Sequence, residues 1–150
     1  DASAGSYSWT VPDAIDNDIR VRVEDASDST VYDESAANFE IKGALTLTSP
    51  NGGESWVVGS SYDITWGNSG TIANVKLEYS TDGGSTFPNE IVASTPGADL
   101  SYTWNPIPDD ISSTVKVKIS NVDDPSVSDI SNANFKIIGA LTLTSPNGGE

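Results

Sequence analysis

Carboxylates and tryptophans are the side chains with chemistry to offer in this chain. Asp and Glu number 22 against 7 Lys and Arg, four Trp are present, and His and Cys are absent. Without imidazole or thiol, the common hydrolytic triads and dyads and any imidazole- or thiolate-held metal are out of reach. Four chemistries remain: a glycosidase-type pair of acids, oxygen ligation of calcium, stacking of sugar rings on indole faces, and a Lys–Asn isopeptide cross-link between strands, the least expected of them. The acids fall mostly in turns and at outward strand positions, where no deep cleft is expected, so the chain reads as a non-enzyme.

Calcium would fall to Asp123, Asp124 and Asp129, in an acidic loop ahead of the last strand, with Asp25, Asp28 and Asp33 in the corresponding earlier stretch. These could hold the ion weakly and stiffen a boundary; no other cofactor is expected. The competing reading is a set of solvated loop carboxylates, since no Asp-x-Asp-x-Asp-Gly pattern occurs and Asp123 aligns with Ser27. Of Trp9, Trp56, Trp66 and Trp104, most read as packing residues. Trp56 follows a turn-rich stretch and is the one expected to be exposed, hence the candidate glycan contact. Residues 80–87, Ser-Thr-Asp-Gly-Gly-Ser-Thr-Phe, resemble the Asp-box of sialidases and related propellers. The physical content of that motif is a hairpin whose Asp binds turn amides above a packed aromatic ring. A sialidase would also need a cluster of arginines, and only Arg20 and Arg22 are present.

The elements that position these residues follow from an internal repeat. Gly-Ala-Leu-Thr-Leu-Thr-Ser-Pro-Asn-Gly-Gly-Glu occupies residues 43–54 and again 139–150, an offset of 96. Such periodicity decides the architecture before any local pattern does. At the same offset, residues 13–42 lie over 109–138 without a gap, bringing Ile19-Arg20-Val21-Arg22-Val23 over Val115-Lys116-Val117-Lys118-Ile119. One inserted residue brings Ser6-Tyr7-Ser8-Trp9 over Ser101-Tyr102-Thr103-Trp104. Residues 1–42 therefore read as the C-terminal half of one repeat, 43–138 as a complete repeat, and 139–150 as the first strand and turn of the next. The first 42 residues have too few strands to close a core. They are expected to be completed by a continuing chain or, less readily, by strand exchange with a neighbouring one.

Period-two alternation predicts strands over residues 44–48, 62–66, 74–80, 100–104, 115–119 and 133–137. Turn chemistry separates them at residues 49–53, 67–70, 81–84 and 105–110. No stretch has a helical period. Seven or so short strands in under 100 residues make an all-β, immunoglobulin- or fibronectin-like β-sandwich, repeated in tandem.

Ser49-Pro50-Asn51-Gly52-Gly53-Glu54-x-Trp56, Asp63-Ile64-Thr65-Trp66, Val75-Lys76-Leu77-Glu78-Tyr79-Ser80, Tyr102-Thr103-Trp104 and Ser131-x-x-x-Phe135-x-Ile137 occur in that order. Together they resemble an immunoglobulin-like repeat family related to the N-terminal domain of fungal cell-wall β-glucan-assembly proteins. That family also appears in large extracellular bacterial and archaeal proteins. The resemblance implies a β-sandwich displayed outside the cell, commonly in arrays, and brings no catalytic residues.

A net charge of −15 repels phosphate backbones and anionic lipid, which argues against nucleic-acid and membrane-surface partners. No apolar run nears the roughly 18 residues of a membrane helix. The first residues lack the basic start and apolar core of a signal peptide, so any export signal or anchor is expected elsewhere. The expected function is structural, in an extracellular fibre, stalk or adhesin-like surface protein whose partner is itself, by end-to-end modules or strand exchange. The junction would consist of Ile138, Gly139 and Ala140 with the loop Ser145, Pro146, Asn147, Gly148, Gly149 and Glu150. The alternative is a carbohydrate-binding accessory module of a secreted hydrolase, with cell-wall or extracellular polysaccharide as the partner.

Overall fold

The computed structural model describes residues 4–145 and residue 148. Among them it contains thirteen strands and no α-helix, and no helix long and apolar enough to cross a membrane. The chain forms two compact units, Asp1–Gly43 and Ala44–Glu150.

The first unit has four short strands: β1 (Asp16–Ile19), β2 (Arg22–Glu24), β3 (Tyr32–Glu34) and β4 (Phe39–Ile41). They make two antiparallel pairs, β1 with β4 and β2 with β3. Asp16 stands opposite Ile41 and Ile19 opposite Phe39; Arg22 stands opposite Glu34 and Glu24 opposite Tyr32.

The second unit continues with β5 (Ala44–Ser49), β6 (Ser55–Val57), β7 (Tyr62–Ser69), β8 (Asn74–Ser80) and β9 (Asn89–Pro96). After these come β10 (Ser101–Trp104), β11 (Ser112–Asn121), β12 (Ser128–Ile130) and β13 (Phe135–Ile138). One sheet runs β10-β7-β5; the other runs β6-β13-β11-β8-β9, with β12 paired to β11. Alternation drives the layering. Val75, Leu77 and Tyr79 of β8 and Val115, Val117 and Ile119 of β11 are buried. Lys76 and Glu78 point the other way and pair at 2.7 Å. The smaller sheet contributes Leu45, Leu47, Ile64, Trp66 and Trp104 to the same cluster, giving a β-sandwich-like arrangement. Each large apolar side chain removed from water is worth about 1.5–3 kcal/mol, so the contact between the sheets is what holds the unit together.

The pairings of the first unit recur 96 residues later. Ser112 is opposite Ile137 and Val115 opposite Phe135; Lys118 is opposite Ile130 and Ser120 opposite Ser128. Local bonds recur as well. The Val21 amide donates to Ser35 Oγ at 3.2 Å, and the Val117 amide to Ser131 Oγ at 3.0 Å.

Two expectations from alternation and turn chemistry are corrected. The turn foreseen at residues 67–70 starts later, because β7 runs on to Ser69 to pair with Ala44. The last strand begins at Phe135 rather than at residue 133, because Ala133 and Asn134 are engaged by the loop that follows β5. Beyond that loop, Gly97 is fixed by contact: a Cβ there would stand 2.3 Å from the Ile72 carbonyl oxygen. Its own carbonyl accepts the buried Trp66 indole N–H at 3.0 Å.

Candidate functional site

The repeated dodecapeptide has a structural job in its first copy. After β5 the chain turns through Pro50, Asn51, Gly52 and Gly53, and Glu54 folds back over the turn. The amides of Asn51 and Gly52 each donate to its carboxylate at 2.8 Å. Partial burial pushes the Glu54 carboxyl up, but the amide bonds from Asn51, from its own backbone and from Gly52 outweigh it and hold the group below the ordinary value.

This loop is clamped onto the turn between β12 and β13. Buried Ser131 donates its hydroxyl to the Pro50 carbonyl at 2.8 Å, and the Asn132 amide donates to Asn51 Oδ1 at 2.7 Å. The Gly53 amide donates to Asn134 O at 3.0 Å and the Lys136 amide to Glu54 O at 2.9 Å. The approach is so close that a Cβ on Gly52, whose φ is +127°, would lie 2.5 Å from Ala133 Cβ. Only glycine fits. Residues about 80 positions apart are thus joined by backbone and side-chain bonds that use the Asn51 side chain, the Glu54 carboxylate and the missing Cβ of Gly52.

The second copy stands in a different setting. Ile138 ends β13, its carbonyl accepting the Val58 amide at 2.9 Å. Gly139 and Ala140 are exposed, and a Cβ at Gly139 would touch only Ile111, at 3.4 Å. Leu141 and Leu143 are exposed where Leu45 and Leu47 are buried. Residues 140–144, where the repeat places the next first strand, form no strand here: β5 exists because β7 pairs with it, and no described strand does that for the second copy. Ser145 and Gly148 are exposed, while Pro146, Asn147, Gly149 and Glu150 lie outside the described residues.

Trp56 is corrected. It is 5% exposed, because β6 pairs in parallel with β13 at Ile137 and turns the indole into the core. Tyr62 stacks on it at 5.0 Å, and Phe135 and Trp104 pack at 4.9 and 6.1 Å. Its ring is occupied by protein and offers no sugar platform. The exposed indole is Trp9 instead.

The calcium ligands are not brought together either. Asp129 takes the Leu47 amide at 2.7 Å, tying β12 to β5. Asp124 Oδ1 accepts the amide and hydroxyl of Ser126 at 3.0 and 2.6 Å, closing its own turn. Asp123 is exposed, its amide donating to Asn121 Oδ1 at 3.1 Å. Among the described residues no group of three His, Cys, Asp or Glu gathers in a way that could hold a metal. In the hairpin at residues 80–87, Asp82 accepts the Ser85 and Thr86 amides at 2.9 and 3.1 Å and the Thr86 hydroxyl at 2.6 Å. Bonds from the Ser80 and Thr86 hydroxyls, then the Thr86 amide, hold its carboxyl far below the usual range. Asp82 closes the turn, as the structural reading of the Asp-box pattern expects.

Sequence reasoning missed Asn51, Ser131 and Asp129 as long-range connectors within the module. The available signal was the recurrence of Ser-x-x-Asn-Phe at residues 35–39 and 131–135 alongside the duplicated loop. Comparison of the chain with models of known families and with curated proteins finds no match.

Proposed function

We propose that this chain is a stretch of immunoglobulin-like tandem repeats from an extracellular fibre, stalk or adhesin-like surface protein, working through stiffness and contact between modules. The observation that carries the reading is that sequence and strand register recur together at one offset of 96 residues. The clamped loop supports it. Main-chain contacts across the module resist opening under load, and a second Gly-Ala-Leu-Thr-Leu-Thr-Ser-Pro-Asn-Gly-Gly-Glu run follows β13 directly, which leaves no room for a flexible linker. The net charge of −15 keeps such a polymer soluble. Electron microscopy of the full-length protein tests the reading: unbranched rods are expected, and a compact particle refutes it.

A further inference from the structure

The inward face of the first unit is bare. Val21, Val23 and Val31 are 49%, 68% and 58% exposed, whereas Val117, Ile119 and Val127, 96 residues on, are 0%, 0% and 8% exposed. Val23, Ala26 and Val31 line an open hollow there together with Glu24, Asp25 and Asp33, while the Tyr32 ring lies 4.0 Å under the Arg22 guanidinium on the opposite face. One edge of β1 and β2 is taken by β4 and β3. The opposite edge, which in β11 receives β8, carries no strand among the described residues. Apolar surface beside an open strand edge is the template for strand addition.

Resting on the repeat reading above, we propose that the 1–43 unit is an acceptor for a second copy of this chain's own segment 44–95. That copy lays its Asn74–Ser80 strand antiparallel along residues 20–25. Carrying the β11–β8 register back by 96 residues sets Tyr79 opposite Val21, Glu78 opposite Arg22, Leu77 opposite Val23 and Lys76 opposite Glu24. A slip of one residue would send Leu77 and Tyr79 to the solvent face, so burial fixes this register.

Charge favours the same occupant. In the second unit Glu78 faces Lys118, but Lys76 faces uncharged Ser120. On the first unit both outward charges of the incoming strand meet an opposite charge. Arg22 and Glu24 already pair at 2.8 Å, as Lys76 and Glu78 do at 2.7 Å. Side by side in this register the two pairs alternate in sign along and across the strands. A second seat is also ready: residues 35–39 repeat the Ser-x-x-Asn-Phe pattern that holds the 50–54 loop, and Ala37 stands where Ala133 meets Gly52.

The test keeps the full chain and adds a copy of residues 44–95 directly ahead of Asp1, where the aligned copies join. Amide hydrogen exchange of residues 20–25 should slow by about 100-fold or more relative to the unextended chain. Lys76→Glu in the added copy should cost part of that protection, and Glu24→Lys in the acceptor should restore it. Unchanged exchange at residues 20–25, or equal protection from a copy carrying Val75→Asp and Leu77→Asp, overturns the proposal. Rods formed by the full-length protein despite unprotected 20–25 amides would sink this inference and leave the fibre reading standing; protection without rods would do the reverse.

Discussion

Gly52→Ala puts the clamp to a quantitative test. The new Cβ would sit 2.5 Å from Ala133 Cβ, 3.2 Å from its Cα and 3.3 Å from its carbonyl carbon. Neither side can drift freely, because the Ala133 amide donates to Asn51 O at 3.3 Å and the Gly53 amide to Asn134 O at 3.0 Å. An L-residue at φ +127° costs about 1–2 kcal/mol, and forcing a methyl into filled space costs about 1–3 kcal/mol. Against this stands about 0.4–1 kcal/mol from the stiffer unfolded chain. The net loss is about 1–5 kcal/mol, each kcal/mol lowering Tm by about 4–8 °C for a module of this size. Urea unfolding followed by the fluorescence of buried Trp56, Trp66 and Trp104 reports on this unit. Gly53→Ala is the control: its φ is +91° but a Cβ there meets nothing within 4 Å, so only the backbone cost of about 1–2 kcal/mol applies. Adding Ala133→Gly to Gly52→Ala should recover the steric share. A Gly52→Ala protein within about 0.5 kcal/mol of the parent, below the typical range of a point-mutation effect, would refute the close approach.

Other expectations follow from the same contacts. Glu54 has a folded pKa below its ordinary value of 4.5, so its contribution is present above that value and fades as pH falls through the lower folded one. Glu54→Gln should flatten the acid limb of stability below about pH 4.5; an unchanged acid limb would count against the loop. Tyr79 has its phenol pushed up, first by burial and then by its bond to Asp110. Its contribution is intact below its ordinary value of 10.0 and is lost as pH rises through the raised folded one, so Tyr79→Phe should blunt alkaline unfolding followed by circular dichroism. Trp56→Ala should destabilise by about 3–5 kcal/mol in chemical denaturation; a stable, well-folded variant would argue that the indole is not a core residue.

How much of this was legible in the sequence depends on how local the cause is. The strands β5, β7, β8, β10 and β11 stood out because their apolar residues alternate over four or more positions. β6 and β12 have three residues each, and β9 is an edge strand with no fully buried position, so none left a readable period. Trp56 was misread because its burial is decided by a parallel partner at Ile137, which nothing near residue 56 announces. Asp129 was read as a loop carboxylate for the same reason: its partner, the Leu47 amide, lies 82 residues away. The register of the first unit, by contrast, follows by offset once that of the second is known, since residues 13–42 align with 109–138 without a gap.

The most direct measurement of the central claim is the contour length of chains carrying increasing numbers of the 96-residue repeat, imaged by electron microscopy. The account predicts straight rods that lengthen by one constant increment per repeat. Particles that stay compact, or that kink freely between modules as repeats are added, would contradict it.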